Sequence, residues 1–491
     1  MTESKQPPAK DRGLRMSRLG ARAAVMFCLL VAEGSLFAQK APSAPDHPWD
    51  ASSAKQPFTA PPRFVPASVL DPAKIYTLSE LVDIAEQNNP ETRVAWENAK
   101  AKAADLGIAQ STLYPTLAAA ALAETHRMEI FFGPNFQQQT VATFSPVFVL
   151  DYIIFDFGRR SQEISSSRND LLAANFQFND AHRRIIFQVM QAYYRLLDTT
   201  GQLDAAEANL KNAQTVQQAS EARLQNGLAT LPDVLETRSA SAQADYDLQA
   251  AIGATEIAHG DLATALGISP TTQFQVESLA GIKMPDSIAD TVETSIDKAL
   301  SQRPDLMQQV ADLRAATAEV KALRRNYLPT LSIDGSYGLN RSYGTQEHLP
   351  SVYSPTGEYW DVTLSLTWTL FDGLARENRL AKAHAEQKQA AATVDSIRDQ
   401  VENQVWSAYS TARTALREQK AAAALLQAAT ESYNAALESY NYGVRSQIDV
   451  VSAQRTLADA RSADVTARTQ LLTGLAALTY QTGDLLYAKH P

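Results

Sequence analysis

Residues 81–117 read LVDIAEQNNPETRVAWENAKAKAADLGIAQSTLYPTL, and residues 295–331 read SIDKALSQRPDLMQQVADLRAATAEVKALRRNYLPTL. The two stretches share a frame. Pro90 and Pro115 lie 25 residues apart, as do Pro304 and Pro329, and each second proline opens a Pro-Thr-Leu. The echo runs on: Phe155-Asp156 returns as Phe371-Asp372, and Gly227 with Asp233 returns as Gly443 with Asp449, at offsets of 214 to 216 residues. Such an offset is several times the length of a solenoid unit. The chain therefore reads as a duplicated half, with a first structural repeat over 76–280 and a second over 281–487, both building one body.

Each copy opens helical. Thr77 to Gln110 carries a helical pattern broken at Asn88-Asn89-Pro90, because a residue before proline is pushed out of the α region. Arg303-Pro304 is the matching break. After the shared Pro-Thr-Leu the apolar period drops from 3.6 to 2. In the second copy Leu331, Ile333, Tyr337 and Leu339 share one face, and Ser332, Asp334, Ser336 and Asn340 share the other. Val362, Leu364, Leu366, Trp368 and Leu370 alternate with Thr and Ser over 362–370. A half-buried strand of a soluble sheet alternates this way too. The aromatic residues clustered around these strands (Phe144, Phe148, Tyr152 and Phe155 in one copy, Tyr359, Trp360, Trp368 and Phe371 in the other) favour a barrel wall with aromatic girdles. Pro146 would cost the first copy a ladder bond unless it lies at an edge or a bulge.

Long helices follow. Between Gly158 and Leu224 nothing but Gly201 breaks a helix, and 374–442 holds neither glycine nor proline. About 65 helical residues span about 100 Å, far more than a compact domain needs. Leu203, Ala206, Leu210, Ala213, Gln217, Ser220 and Leu224 form a track of small and polar residues that suits shallow packing. Gly227 and Gly443 end the two helices, and return helices run over 231–266 and 448–480. The fold class is mostly α with a small β part, each half giving two strands and one long hairpin. Four strands cannot close a membrane barrel, since about eight is the minimum. Membrane strands would require an oligomer, and three chains would supply 12.

Bulk composition agrees. With 45% hydrophobic and 20% charged residues, the 491-residue chain is not a disordered one. Residues 1–38 combine Lys10, Arg12, Arg15, Arg18 and Arg22 with an apolar run from Ala23 to Val31, which predicts a secretory signal peptide. The lone Cys28 falls inside it, and Phe27 stands where a lipoprotein signal needs a small residue. Residues 39–75 are a Pro/Ala-rich lead-in. The formal charge of −10 argues against nucleic acid as a partner. Beyond the leader no run approaches the roughly 20 apolar residues of a membrane helix. Seven scattered histidines lack ligand spacing and no phosphate-loop or nucleophile-elbow motif occurs, so no catalytic residue, metal or cofactor is expected.

The order of two strands, Phe-Asp, long helix, glycine turn and Asp-Val, given twice, resembles the TolC-like outer-membrane efflux channels, or outer membrane factors. The hairpin turns LQNGLATLPDVLETRSA and YNYGVRSQIDVVSAQRT carry the resemblance best, and it covers about Tyr76 to Tyr487. It implies a homotrimer with a 12-stranded barrel in outer-membrane lipid and an α-barrel in the periplasm. The implied function is a passive exit duct of a tripartite efflux or type I secretion system. Its partners would be a periplasmic membrane-fusion adaptor and an inner-membrane pump. The residue reading leaves a second possibility, a periplasmic coiled-coil scaffold or adaptor without a pore, which has no use for amphipathic strands.

The resemblance also implies a gate at the periplasmic tip, formed here by Tyr440, Arg445, Asp449 and Asp233. Arg–carboxylate bonds are strong yet exchangeable, as a latch requires, and a ring of three Asp449 would favour cations. Both aspartates equally suit plain capping of a helix N-terminus. Ser452 stands where the best-known members carry a second acidic residue. The turns Gly227-Leu228-Ala229 and Gly443-Val444 match the family's adaptor-docking positions, and either glycine also reads as a simple C-cap. Where the second copy has Tyr440 and Arg445, the first has Leu224 and Ala229, which places the gate in the second hairpin.

Overall fold

The computed structural model describes residues 70–132, 135–346 and 355–486. The expected signal peptide and the lead-in up to residue 69 lie outside the described residues. The first copy runs β1 (Ile75–Tyr76), α1 (Leu78–Asn88), α2 (Pro90–Ser111), β2 (Thr116–Phe132), β3 (Asn135–Phe155), α3 (Arg159–Gln225) and α4 (Leu231–Ala265). The second runs β4 (Gln275–Val276), α5 (Val292–Gln302), α6 (Pro304–Arg325), β5 (Thr330–Gln346), β6 (Thr356–Thr367), α7 (Ala375–Asn441) and α8 (Gln447–Thr482). The two openings meet where β1 pairs with β4 in parallel.

The local signals explain these boundaries. Asn89 adopts φ −71°, ψ 126° and caps α2 through Glu91 N at 2.9 Å, so the pre-proline residue ends one helix and starts the next. Arg303 takes the same extended conformation before Pro304. The helices α3 and α7 are each 67 residues long, about 100 Å at ~1.5 Å per residue. Gly201 does not break α3, which runs through it. It is where α3 passes α8, and a Cβ there would lie 2.7 Å from Val465 Cγ1. The expected seam also shifts. Ala205, Ala213, Val216 and Ser220 are the buried positions, with Leu203, Leu210 and Leu224 only partly covered. α3 packs against α4, α6 and α8 at once, so its covered surface is wider than one heptad track.

The largest core joins Leu81 and Ala85 of α1, Ile185, Val189 and Leu197 of α3, and Leu262 of α4 with Leu266 just beyond it. Beside it lies a buried polar knot. Arg183 is 1% exposed; it pairs with Asp180 at 2.6 Å and Asp305 at 3.5 Å and donates to Tyr480 O at 3.1 Å. Asp305 also holds Arg303 at 2.6 Å. Burial alone would raise the Asp305 pKa, but the Arg303 bond and the charges of Arg303 and Arg183 hold it below the usual carboxylate range. The knot ties α3 of one repeat to α6 and α8 of the other.

The four long strands form one antiparallel sheet in the order β2-β3-β5-β6, so the central pair joins the two repeats. Across it run the rows Leu117–Leu150–Gly335–Val362 and Ala119–Phe148–Tyr337–Trp360. The next positions give Thr116–Asp151–Asp334–Thr363, so one face is apolar and the other polar. One expectation needs correction. β6 ends at Thr367, so Trp368 and Leu370 are not strand residues. Its partner β5 begins at Thr330, opposite Thr367, and Trp368 Nε1 donates to Tyr327 O at 3.0 Å instead. Pro146 lies in an interior strand, not at an edge. The β3–β5 ladder is interrupted there between Phe144↔Arg341 and Val147↔Gly338, and Gly338 leaves room for Pro146 O, which a Cβ would approach to 2.6 Å.

Each Phe-Asp marks the corner from sheet to helix. Two successive left-handed residues turn the chain: Phe157 and Gly158 in one copy, Gly373 and Leu374 in the other. Asp156 lies two residues before the N-cap yet still accepts from Arg160 N at 3.0 Å and Arg160 Nε at 2.9 Å. Arg160 Nη1 then donates to Thr112 O at 2.7 Å, at the end of α2. Asp372, Arg376 and Asn326 O repeat the device. One ion pair thus closes an N-terminus and a C-terminus together.

Candidate functional site: the hairpin tips and the apolar belt

At the first tip Gly227 has φ +71°, with Leu228 N donating to Arg223 O at 2.8 Å and Gly227 N to Leu224 O at 3.0 Å. At the second, Gly443 has φ +75°, with Val444 N bonded to Ser439 O at 2.9 Å and Gly443 N to Tyr440 O at 3.0 Å. These paired 6→1 and 5→2 bonds form a Schellman C-cap, which needs a left-handed residue and hence glycine. Nothing crowds either glycine. Leu228, Val444 and Ile448 are among the most exposed apolar side chains of the helical part, while Ala229 is half-buried. The tips therefore present small, apolar turns that another backbone can approach.

Both aspartates cap the returning helices. Asp233 Oδ2 accepts from Thr230 N at 2.8 Å and Thr230 Oγ1 at 2.6 Å; Asp449 Oδ2 accepts from Ser446 N at 3.0 Å and Ser446 Oγ at 2.8 Å. Each is the acidic half of a capping box. The Ser446 hydroxyl and then its N–H lower the Asp449 pKa, with the charge of Arg445 adding to them. Thr230 lowers that of Asp233 in the same way. Arg445 is exposed, and among the described residues no ion pair joins it to Asp449.

Tyr440 is buried in a tip cluster with Val216, Tyr433, Val450 and Leu457. Its ring lies under Arg223, whose guanidinium carbon is 4.1 Å from the ring centre. Sequence reasoning missed Arg223. The available signal was the copy comparison, since the matching position four residues before the second glycine is Ser439.

At the other end of the helices the belt residues Val362, Leu364 and Leu366 are each at least 64% exposed, and Leu117, Phe148, Tyr337 and Trp360 share their face. Leu331 and Ile333 are half-covered on the same face. Among the described residues β2 and β6 each keep one edge unpaired. A soluble monomer rarely tolerates such a continuous apolar surface or such long free edges.

Comparison with known proteins gives the same architecture. A family model described as outer membrane efflux protein matches residues 81–268 and 295–484. Protein CyaE of Bordetella pertussis is 28% identical over 409 residues, covering 83% of this chain and 84% of its own. Outer membrane protein OprJ of Pseudomonas aeruginosa is 23% identical over 356 residues, 72% of this chain and 73% of its own. Among solved structures, a membrane protein from Pseudomonas aeruginosa superposes with TM-score 0.73 at 22% identity, covering 87% of this chain and 96% of that one. The CmeC outer membrane channel of Campylobacter jejuni superposes with TM-score 0.69 at 20% identity, covering 83% and 85%.

Proposed function

The chain belongs to the outer membrane efflux protein family, and from that premise we propose that it is the outer-membrane exit duct of a tripartite efflux or type I secretion system. It resides in the outer membrane, with its long hairpins extending into the periplasm. Three copies place their four-stranded sheets edge to edge and close a 12-stranded barrel. Their hairpins align into a helical tube about 100 Å long. The observation that carries this reading is the apolar belt across all four strands, bounded by two unpaired edges. A pore-less scaffold leaves that belt without a purpose.

The rest of the reading follows from the parts. Residues 1–38 direct export and are removed. The polar sheet face, with Asp151, Asp334 and Asp361, lines water. The exposed turns around Gly227 and Gly443 receive a periplasmic adaptor, which couples the duct to an inner-membrane pump. Arg445, exposed and without an ion pair among the described residues of its protomer, reaches a carboxylate of the neighbouring hairpin and narrows the tip together with Asp449. The duct does no chemistry and leaves cargo selection to the pump. Expression in a Gram-negative host tests the assembly: heat-resistant trimers in the outer-membrane fraction are expected. A soluble periplasmic monomer overturns the reading.

A further inference from the structure

The two tips differ at adjacent positions. Where the first hairpin has Arg223-Leu224 before its turn glycine, the second has Ser439-Tyr440. The difference matters because α7, 67 residues long, has no basic residue in its last turn. Its final carbonyls and the negative end of its dipole thus lack a cation of their own. The first hairpin supplies one. Arg223 Nη2 donates to Tyr440 O at 3.3 Å and reaches Asn441 O at 3.5 Å, while the guanidinium plane covers the Tyr440 ring.

No carboxylate pairs with Arg223 among the described residues. The nearby Glu221 is engaged by Arg238 at 2.9 Å and by Gln217 at 3.1 Å. The charge of Arg223 is therefore directed at the end of α7. Farther from the tip the seam is bonded by Gln202 to Ser462 O at 3.0 Å, Arg461 to Asn209 Oδ1 at 2.9 Å and Thr469 to Asp198 Oδ1 at 2.9 Å, but nearer the tip it offers little polar hold. Ser220 Oγ on α3 and both side-chain amide atoms of Gln447 on α8 are buried without a protein hydrogen-bond partner. Such groups weaken a packed interface and make it easier to separate.

We infer that Arg223 is a positioning residue of the tip. It clamps the C-terminal end of α7, and with it Tyr440 and the Gly443 turn, against the first hairpin. It thereby sets how far the second tip can swing from the first. The task suits arginine: its planar fork stacks on a ring and donates to carbonyls together, which a lysine ammonium cannot do. The consequence for transport rests on the reading of the tips as the narrow end of the duct.

Hydrogen–deuterium exchange of the purified full-length protein tests the clamp. R223M keeps the aliphatic stem and loses the charge and the plane; R223K keeps the charge alone. Amides of 436–446 are expected to exchange about tenfold faster in R223M, the combined worth of a terminal charge and an exposed cation–π contact. R223K should fall between, and amides of α1 should not change. Unchanged exchange at 436–446 in a folded R223M protein overturns the clamp. Single-channel conductance separates the two readings. A rise in R223M that accompanies faster exchange supports both. Faster exchange at constant conductance supports the clamp and overturns the tip as the narrow point.

Discussion

Replacing Arg183 by methionine tests the knot that joins the repeats. The guanidinium is 1% exposed and serves Asp180 twice through Oδ1 (2.6 and 3.1 Å), Asp305 at 3.5 Å and Tyr480 O at 3.1 Å. Methionine fills much of the same volume, so the cavity contribution is small. What remains is an uncompensated carboxylate and a carbonyl, Tyr480 O, reduced to its bond from Gly483 N at 3.3 Å. Removing one partner of a buried pair costs about 3–5 kcal/mol. The Asp180 and Asp305 side chains keep 21% and 30% exposure and Asp305 retains Arg303, so the loss belongs at the lower end, about 3 kcal/mol.

Guanidinium unfolding of the detergent-solubilised protein, followed by helical circular dichroism, measures it. The double variant R183M/D180N removes the orphaned charge together with its partner. It should be no less stable than R183M, a coupling of at least ~1 kcal/mol. The R183M deficit should also shrink as pH falls through the titration of Asp305, because the charge of Arg183 helps hold that carboxyl below the usual carboxylate range. A loss under about 1 kcal/mol, or strictly additive single effects, would refute the argument that charge pairing holds this junction.

Leu374 is 56% exposed at φ +69°. Leu374→Gly should therefore raise the thermal stability by about 1 kcal/mol, and Gly158→Ala, at the matching corner, should lower it similarly; a less stable L374G contradicts this. Burial first, and then neighbouring carboxylates (Asp170 for Asp312; Glu163, Asp170 and Glu386 for Glu319), raise the pKa values of Asp312 and Glu319. A carboxyl raised on folding stabilises the protein below its unfolded value and loses that contribution as pH rises through its folded value. Glu319→Gln should accordingly stabilise the protein at pH 7.5 and leave it unchanged at pH 4, and equal effects at both would rule this out. Asp449→Ala should increase conductance in planar bilayers. Ser446→Ala removes the cap, worth ~1 kcal/mol, but keeps the carboxylate, so its conductance should stay near the parent value; identical currents for D449A and the parent would remove Asp449 from the gate.

Most helix boundaries were legible because their causes are local. Pre-proline residues at Asn89 and Arg303 break helices wherever they stand, and glycine-free, proline-free runs propagate. The end of β6 was not, because alternation continues through Leu370 while the partner strand stops at Thr330. A strand extends only as far as its neighbour does, and pairing is a property of two segments. Gly201 was misread for a related reason: its use lies on α8, at Val465.

The tips divide the same way. Turn glycines and N3 aspartates are short-range motifs, so both caps were foreseeable, although sequence left capping and gating undecided for Asp233 and Asp449. The hydrogen bonds show both capping. Arg223 over Tyr440 joins residues 217 positions apart, and no periodicity encodes that. By itself the sequence determined the duplication, the two-strand and long-hairpin plan and the position of the turns, since these follow from backbone preferences and apolar period. Only the tertiary structure decided which charges meet at Arg183 and Arg223 and which sheet face is continuously apolar, because those depend on which distant segments pack together.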